Sequence, residues 1–561
     1  MKDRFPQEIG AKEHDSWASI NWKLTRKRAK NLRQRIFRAT QKKEWNRVRS
    51  LMKLMLRSQA NLLLSIKRVT QINRGRRTAG IDNQKVLTNP ERIKLVHDMK
   101  DVFPGSAMPT KRIYIPKSNG LKRPLGIPII KDRVIQAVVK NALEPSWEAL
   151  FEADSYGFRP GRSTHDAISQ CFTRLRKGGD SWVLDADVKG AFDNISHEFI
   201  LNAIGKIPGR ELIEQWLKAG YLENGIFHAT EAGTPQGGVI SPLLANIALD
   251  GLSELLSKHK KVKTIGIKKV EKKKRAKYGY IRFADDFVIT AETEDDLKAI
   301  LPDIRNWLAK RGLQINEEKT KIVKVSNGFD FLGFHIQKFK GSCIIRPQKE
   351  KTLAFIQGIR NWLKGHKNIL TEKVIKYLNP VLRGWAMYYQ NVCSADVFGY
   401  VDHQVWEALW LWAKRRHPNK GKRWIARKYF AINDGWVLKA NCQNRQGETQ
   451  TIKLVRLSDF PIKRHIKVKG ANSPDDPELS KYWEQRQTAQ GKMLLAKGSV
   501  NYRLVNNQKW KCPVCGEFLY NGEEVNQHHI KQVKDGGTDH EDNLMLLHKS
   551  CHQDLHSAKG A

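Results

Sequence analysis

The first part of the chain places apolar residues at helical spacing among basic ones. From about Ser16 to Arg77 a single apolar stripe consists of Leu32, Ile36, Trp45, Leu51, Met55, Leu62 and Ile66. This period predicts amphipathic helices that pack the stripe inward. The Arg and Lys residues between the stripe positions predict an outward face that suits phosphate groups.

The pattern then changes along the chain. From about Ile113 to Phe334 short β-rich runs mix with helices, which predicts an α+β domain whose strand order the sequence leaves open. A Lys-rich insert from Lys258 to Lys277 is expected to be a solvated loop. Beyond Lys349 the pattern is helical and rich in Trp, and after Arg423 it becomes polar and basic. The turn formers from Asn472 to Pro477 predict a linker or domain boundary.

The charge balance indicates a polyanionic partner. The 561 residues include 100 Lys and Arg against 57 Asp and Glu, which gives a formal charge of +43. This excess is too large for an ordinary surface of mixed sign, so nucleic acid is the expected partner. The length predicts about three or four domains. No signal peptide or transmembrane stretch is expected, and a membrane partner is not predicted.

Two adjacent carboxylates interrupt an otherwise apolar region. Asp285 and Asp286 lie between two apolar runs, which predicts a β-hairpin with the acids at its tip. Because like charges repel unless a cation or solvent neutralises them, the pair is either a solvated turn or part of a metal site. An earlier strand carries Asp185, Asp187 and Asp193, and periodicity does not choose among them. Two-metal phosphoryl transfer requires oxygen ligands of this kind.

The last segment combines cysteines and histidines at metal-ligand spacing. Cys512 and Cys515, like His548 and Cys551, are separated by two residues, which favours one tetrahedral structural zinc site. Zinc in a reducing compartment fits these cysteines better than disulfides. Four further histidines accompany the pairs: His528, His529, His552 and His556. A zinc finger that only binds DNA, with incidental histidines, is the alternative interpretation.

Together these segments resemble the reverse transcriptase family, and specifically the reverse transcriptase and maturase proteins encoded by group II introns, with an HNH endonuclease at the end. The resemblance covers nearly the whole chain. Its motifs lie at 19–22, 68–82, 112–128, 155–163, 181–195, 233–246, 278–290, 312–334, 378–389 and 512–556.

The resemblance implies an α+β multidomain fold. It consists of right-hand polymerase fingers and palm with an antiparallel sheet, an α-helical thumb, and a small zinc-ribbon ββα-metal HNH domain. The implied boundaries are a basic helical extension at 1–85, fingers and palm at 86–345, a thumb or maturase domain at 346–430, a basic DNA-binding region at 431–500 and the nuclease at 501–561.

The resemblance also assigns roles in the polymerase. Asp187, Asp285 and Asp286 are the implied catalytic ligands of two Mg²⁺ ions. Contacts to the nucleotide or template are assigned to Lys117, Arg123, Arg159 and Gln236, and Phe192 is the aromatic residue that screens the sugar 2′ position. Phe283 stands where the family usually has Tyr, so activity is expected with altered nucleotide handling.

In the nuclease the implied ligands of one Mg²⁺ are His528, His552 and His556. His529 is the implied general base, and Asn543 is expected to hold the loop and orient that base. The structural Zn²⁺ is assigned to Cys512, Cys515, His548 and Cys551. His548 replaces a cysteine that is common in related ribbons, and it keeps a ligand that zinc accepts.

The implied function is that of a multifunctional intron-encoded protein: an RNA-directed DNA polymerase, a maturase that aids splicing, and a DNA endonuclease for intron mobility by target-primed reverse transcription. The implied partners are group II intron RNA, target DNA and dNTP substrates, and a homodimer is left open. The expected location is the bacterial cytoplasm, with nucleoid association on DNA, or an organelle. A splicing factor without active mobility and a host-defence reverse transcriptase remain the alternatives.

Overall fold

The computed structural model describes residues 16–100, 106–116, 120, 122–265, 271–443, 449–495 and 498–559. Its helices are α1 (Trp22–Gln41), α2 (Trp45–Leu56), α3 (Gln59–Lys67), α4 (Asn89–Lys100), α5 (Ile130–Glu148), α6 (Thr164–Leu175), α7 (Ala191–Asn194), α8 (His197–Ile204), α9 (Arg210–Lys218), α10 (Ser241–Ala248), α11 (Leu252–Ser257), α12 (Glu294–Ala309), α13 (Lys349–Gly365), α14 (Thr371–Tyr389), α15 (Ala395–Arg416), α16 (Lys422–Tyr429), α17 (Ser480–Leu494), α18 (Val500–Asn507) and α19 (Lys549–Lys559). Among the described residues no helix is both long and apolar enough to cross a bilayer.

The strands are β1 (Thr110–Pro116), β2 (Lys122–Ile127), β3 (Trp182–Ala186), β4 (Tyr221–Glu223), β5 (Ile226–His228), β6 (Lys260–Ile265), β7 (Glu271–Ala276), β8 (Gly279–Phe283), β9 (Asp286–Ala291), β10 (Lys321–Lys324), β11 (Phe329–Phe331), β12 (Phe334–Phe339), β13 (Ser342–Pro347), β14 (Phe430–Ala431), β15 (Val437–Gln443), β16 (Thr449–Lys453), β17 (Val525–His529) and β18 (Leu544–His548). The mixture of helices and sheets confirms the predicted α+β class.

The central sheet has the strand order β10-β3-β9-β8, and all of its pairings are antiparallel. Because side chains alternate between the two faces of a strand, the sheet divides two hydrophobic cores. Along β3, Val183 belongs to one core and Leu184 to the other, and along β9 the same division separates Val288 from Ile289. Buried on both faces, these strands form a rigid base for the residues at their ends.

The two cores join parts of the chain that are distant in sequence. The first core combines the N-terminal helices, α5, one face of the central sheet and the C-terminal module around Cys512 and Cys551. The second combines α6, the other sheet face, helices α13 to α16 and the segment up to Trp483. Most of the predicted apolar stripe of the N-terminal segment enters the first core, where Ile36, Leu51 and Met55 are buried. Trp45 is the exception: it lies at the start of α2 and is 46% exposed, so its predicted inward packing is wrong.

Two segments differ from their predicted form. The Lys-rich insert, expected as a loop, includes a two-stranded antiparallel hairpin of β6 and β7 that stands outside the central sheet. The predicted linker is anchored to the body: Arg33 of α1 donates to both carboxylate oxygens of Asp475 at 2.8 and 2.7 Å, and to Glu144 at 2.9 Å. Turn-forming composition predicts a chain reversal but carries no information on such an ion pair.

The segment after this anchor is also held in place. Trp483 packs against Gly161, where a Cβ atom would lie 2.6 Å from the indole ring. Buried Arg486 donates to the Gly161 carbonyl at 2.9 Å and to Asp166 at 2.8 Å, and His465 lies 2.9 Å from the same carboxylate. Although burial opposes it, the bond to His465 and the charge of Arg486 hold the pKa of Asp166 well below its usual range.

Candidate active sites

The turn between β8 and β9 carries the Asp285-Asp286 pair, as predicted. Phe283 pairs with Asp286 across the hairpin, and Ala284 adopts a left-handed φ of 59°. Such a conformation is unfavourable for a residue other than glycine, by about 1–3 kcal/mol. Arg282 stabilises the turn from below, because its buried guanidinium donates to the Ala284 carbonyl at 3.1 Å and to Asn246 at 2.9 Å.

A second segment supports the same turn. The backbone of Tyr156 donates to the Arg282 carbonyl at 2.9 Å, and the Arg282 amide donates to Asp154 at 3.0 Å. Gly157 passes directly behind the turn, where any Cβ atom would collide with the backbone of Ala284. Its carbonyl accepts a bond from Asn246 at 2.8 Å. The backbone that carries the two acids is therefore fixed before any ligand binds.

Asp187 lies just past the end of β3 and completes an acidic group with the pair. Desolvation and then the charges of Asp285 and Asp187 raise the pKa of Asp286 to about 6. Desolvation also raises the pKa of Asp285, against the opposing charge of Arg123. Asp185 lies behind the group, and desolvation followed by the Asp187 charge raises its pKa to about 6. A bound cation stabilises carboxylates that lie this close together, because it neutralises their mutual repulsion.

Asp187 already contacts a cation of the chain itself. Lys319 donates to its carboxylate at 3.1 Å, and Asn316 donates to the same oxygen at 3.1 Å. Among the described residues, two groups of side chains have metal-ligating atoms that all lie within 4.8 Å of one another. The carboxylates of Asp187, Asp285 and Asp286 belong to neither group. Carboxylate oxygens are the kind of ligand that Mg²⁺ prefers. In this conformation the ammonium group of Lys319 neutralises part of their negative charge.

The remaining predicted polymerase residues lie in different surroundings. Gln236 donates to Asp193 at 3.2 Å, so Asp193 faces the Gly-rich turn and not the acidic group. Phe192 packs edge-on against exposed Phe158, with ring centroids 6.3 Å apart. Arg123 is exposed on β2. Lys117 lies outside the described residues.

Arg159 lies behind the acidic turn and is engaged there. The residue is 4% exposed, and the guanidinium donates to both carboxylate oxygens of Glu148 at 3.0 Å and to the carbonyls of Glu152 and Ser155. In this conformation these bonds fix α5 to the segment behind the turn. The contact of Arg159 with template or nucleotide stays a prediction.

The C-terminal module brings all four predicted zinc ligands together. Cys512, Cys515, His548 and Cys551 are buried, and their ligand atoms lie within 4.8 Å of one another. His548 directs Nδ1 to the Cys515 sulfur at 3.4 Å because its Nε2 lies 3.0 Å from the Phe518 carbonyl. A second bond of this kind orients a metal-binding imidazole. Three thiols and one imidazole gathered in this way fit one tetrahedral Zn²⁺ ion.

The module also forms the predicted ββα arrangement. Strands β17 and β18 pair, and α19 packs on both of them. Nitrogen atoms of His528, His552 and His556 lie within 4.8 Å of one another. His528 is buried, whereas His552 and His556 are more exposed, with their Nε2 atoms 3.2 Å apart. Three converging imidazoles fit one divalent ion.

His529 contacts an acid that sequence reasoning missed. Its Nε2 lies 2.6 Å from the Asp539 carboxylate. Asn543 bonds to the Lys531 backbone at 2.8 and 3.0 Å and to the Thr538 carbonyl at 2.8 Å, so it holds the loop. The direct orienting contact to His529 comes from Asp539. No spacing signal distinguishes Asp539 from the other acids of this loop, and none marks Lys319 or Asn316.

Four family models match successive parts of the chain. Their descriptions are the N-terminal domain of reverse transcriptase at 17–99, reverse transcriptase (RNA-dependent DNA polymerase) at 115–336, the group II intron maturase-specific domain at 352–430 and HNH endonuclease at 512–558. These ranges contain the acidic group, the Trp-rich helices and the metal-ligating histidines.

Curated relatives agree with these matches. Protein YkfC of Escherichia coli (strain K12) is 34% identical over 319 residues, covering 52% of this chain and 83% of that protein. Group II intron-encoded protein LtrA of Lactococcus lactis subsp. cremoris is 31% identical over 418 residues, covering 59% and 69%. An uncharacterized 91 kDa protein in the cob intron of Schizosaccharomyces pombe is 32% identical over 533 residues, covering 80% and 63%. The chain belongs to the group II intron-encoded proteins, and it combines an RNA-directed DNA polymerase, a splicing maturase and an HNH endonuclease.

Proposed function

We propose that Asp187, Asp285 and Asp286 hold the two Mg²⁺ ions of the polymerase. The observation that carries this assignment is the acidic group itself, where desolvation and then the neighbouring carboxylates raise the pKa of Asp286 to about 6 on a preformed turn. When bound, the ions activate the primer hydroxyl and stabilise the leaving pyrophosphate. Asp187 would hold an ion through its Oδ1, because Lys319 and Asn316 both donate to its Oδ2.

The surrounding residues position the nucleotide. Arg123, together with Lys117, binds the triphosphate, since fixed cations stabilise the negative charge that develops on the phosphates. Phe192 with Phe158 forms the aromatic wall at the sugar, and Gln236 supports the Gly-rich turn through Asp193. We assign the fingers and palm to 86–345, the thumb to 346–430 and the basic extension to 1–85.

In the nuclease, His528, His552 and His556 hold one divalent ion, and His529 removes the proton from the attacking water. Asp539 keeps the His529 ring in place through the 2.6 Å contact, so the other ring nitrogen faces the substrate. Asn543 maintains the loop that carries both residues. The bound ion stabilises charge on the cleaved phosphate. The zinc site at Cys512, Cys515, His548 and Cys551 fixes this small module.

The whole chain serves a mobility cycle. The basic face of the N-terminal helices and the thumb bind intron RNA through phosphate contacts and shape. The 431–500 region and the nuclease bind target DNA, the nuclease cuts one strand, and the polymerase extends the new 3′ end with dNTPs on the RNA template. We assign the protein to a bacterial cytoplasm or an organelle, with a homodimer as one assembly to be tested.

Primer extension on an RNA template with Mg²⁺ tests the polymerase. The wild type and the exposed-acid control Asp303→Asn should extend, whereas Asp285→Asn should not, and splicing of the intron should survive in all three. Extension by Asp285→Asn at the wild-type rate would refute the assignment. Splicing lost together with extension would instead indicate misfolding.

Strand cleavage tests the nuclease separately. His529→Ala should reduce the cleavage rate by about 10²–10⁴-fold, as expected for removal of a general base. His540→Ala is the matched control, because His540 lies in the same loop and its side chain is 74% exposed. Equal cleavage by both variants would exclude His529 as the base, while primer extension reports on the rest of the fold.

A further inference from the structure

A large open cavity separates the nuclease module from the N-terminal segment. Its volume is about 1390 Å³. On one side it is lined by His552, Gln553 and His556 of α19. On the other side it is lined by the residues before α1, by the short helix Arg74–Arg77 and by the first turns of α4. Two of the three histidines that converge for metal therefore face the N-terminal segment across one cavity.

The two walls are fixed to each other by a buried contact. Lys67 of α3 donates to Asp554 of α19 at 2.7 Å, and Gln71 donates to the same carboxylate at 2.7 Å. Trp22 covers the Lys67 ammonium with its ring 4.0 Å away. This contact lies on the same helix as His552 and His556, so the position of the histidines relative to the N-terminal wall is set by packing.

The N-terminal wall carries the charge that a phosphodiester backbone requires. Arg76, Arg77 and Lys94 line the cavity, and none of its described lining residues is acidic. Arg77 and Lys94 are exposed, and Arg76 uses one bond to the Gln71 carbonyl at 3.2 Å. Arg92 differs from these three, since it is buried and donates to Thr70 and Leu87. Three cations therefore remain directed toward the cavity.

We propose that the N-terminal segment of the reverse transcriptase is the second wall of the nuclease site. The DNA strand to be cut lies in the cavity, and Arg76, Arg77 and Lys94 hold the phosphates next to the one that faces His552 and His556. DNA is favoured over RNA because the opposite wall carries the nuclease histidines. The proposal rests on the nuclease function and adds the part of the chain that positions its substrate.

The test compares the full chain with Arg76→Ala/Arg77→Ala and with Arg77→Glu. The probe is a duplex that spans the ligated exon junction of the encoding gene. Affinity is measured by fluorescence anisotropy over a salt series in buffer without added Mg²⁺ and without a chelator, so that the zinc site stays loaded, and strand cleavage is measured with Mg²⁺. Each lost phosphate contact should weaken binding about tenfold and reduce the salt slope by about 1. The cleavage rate at low DNA concentration should fall in parallel and recover at saturation.

Two controls separate this role from folding and from RNA binding. Arg28→Ala removes an exposed arginine of α1 that does not line the cavity, and it should bind and cut DNA like the wild type. Arg76→Lys/Arg77→Lys keeps both charges and should restore most of the affinity. Primer extension should be unchanged in every variant, and intron RNA affinity should be unchanged in the variants of Arg76 and Arg77, because these residues face the cavity.

Unchanged DNA affinity and cleavage in Arg76→Ala/Arg77→Ala and Arg77→Glu would overturn the proposal and leave the nuclease assignment intact. Loss of RNA affinity with normal DNA affinity would show that this wall binds RNA, and it would also overturn the proposal. If the wild type itself cuts no DNA, the nuclease assignment fails, and the binding series without Mg²⁺ still decides whether this wall holds DNA.

Discussion

The contact between Lys67 and Asp554 gives a prediction that can be worked out in detail. The ammonium and carboxylate are 2.7 Å apart, and their side chains are 1% and 7% exposed. Asp554→Ala removes the carboxylate and leaves the Lys67 charge inside the protein beside Trp22. Gln71 loses the nearer of its two acceptors in the same substitution and keeps the Ser550 carbonyl at 3.4 Å. The interface between α3 and α19 is therefore expected to open.

The magnitude follows from the burial of both partners. Removal of one member of a buried ion pair destabilises a protein by about 3–5 kcal/mol, whereas replacement of both by apolar groups is often neutral or stabilising. Asp554→Ala should therefore lower the free energy of local opening by about 3–5 kcal/mol. Lys67→Met combined with Asp554→Ala should recover most of this loss, since no unpaired buried charge remains.

Amide hydrogen exchange measures this quantity locally, which suits a chain of several domains because a single unfolding free energy is not defined for it. The amides of α19 and α3 should lose protection in Asp554→Ala, while those of β3 and β9 should not. Asp542→Ala is the control in the same module, because the Asp542 side chain is 93% exposed. DNA cleavage should fall with the loss of protection, and primer extension should not.

Two results would refute this reasoning. The first is a change in α19 protection below about 1 kcal/mol, the size expected for an exposed pair. The second is a double variant as unstable as Asp554→Ala alone. That result would mean that the lost stability comes from the cavity left by the carboxylate and not from the unpaired charge of Lys67.

Three further predictions concern other parts of the chain. Primer extension should decline as pH is lowered through about 6, because protonated Asp286 cannot bind metal; more Mg²⁺ should move the midpoint downward. Removal of zinc with a chelator should abolish protection of α19 and DNA cleavage while primer extension persists, with released zinc measured by a dye. Arg159→Ala should lower the free energy of local opening of α5, measured by amide exchange, by about 3–5 kcal/mol because it leaves the buried carboxylate of Glu148 without its partner; an unchanged KM for dNTPs would refute the predicted nucleotide contact of Arg159, and a raised KM would support it.

The sequence predicted those features that depend on local pattern. Cys512, Cys515, His548 and Cys551 converge because two-residue spacing and a hairpin-helix order suffice to define such a site. The hairpin that carries Asp285 and Asp286 also follows from its apolar flanks. The strand order β10-β3-β9-β8 was not predictable, because alternation shows which residues are buried but not which strands are neighbours.

Pairings between distant residues were equally out of reach. Lys67 and Asp554 are 487 positions apart, and no periodicity links them. Arg159 lies in a motif that the family places near the nucleotide, yet its guanidinium turns to Glu148, eleven residues earlier. Residue type and motif identify which side chains are charged, whereas the direction of each side chain depends on what packs around it.

The anchored segment around Asp475 has a consequence for the distance between the nuclease and the polymerase acids. Arg33 and Glu144 fasten it to the N-terminal and α5 helices, and Trp483 seats it against Gly161. A nuclease on a flexible linker would cut DNA at variable distances from the polymerase. Here the segment is anchored and the nuclease module packs into the first core, so its histidines and the polymerase acids keep one spacing within the protein.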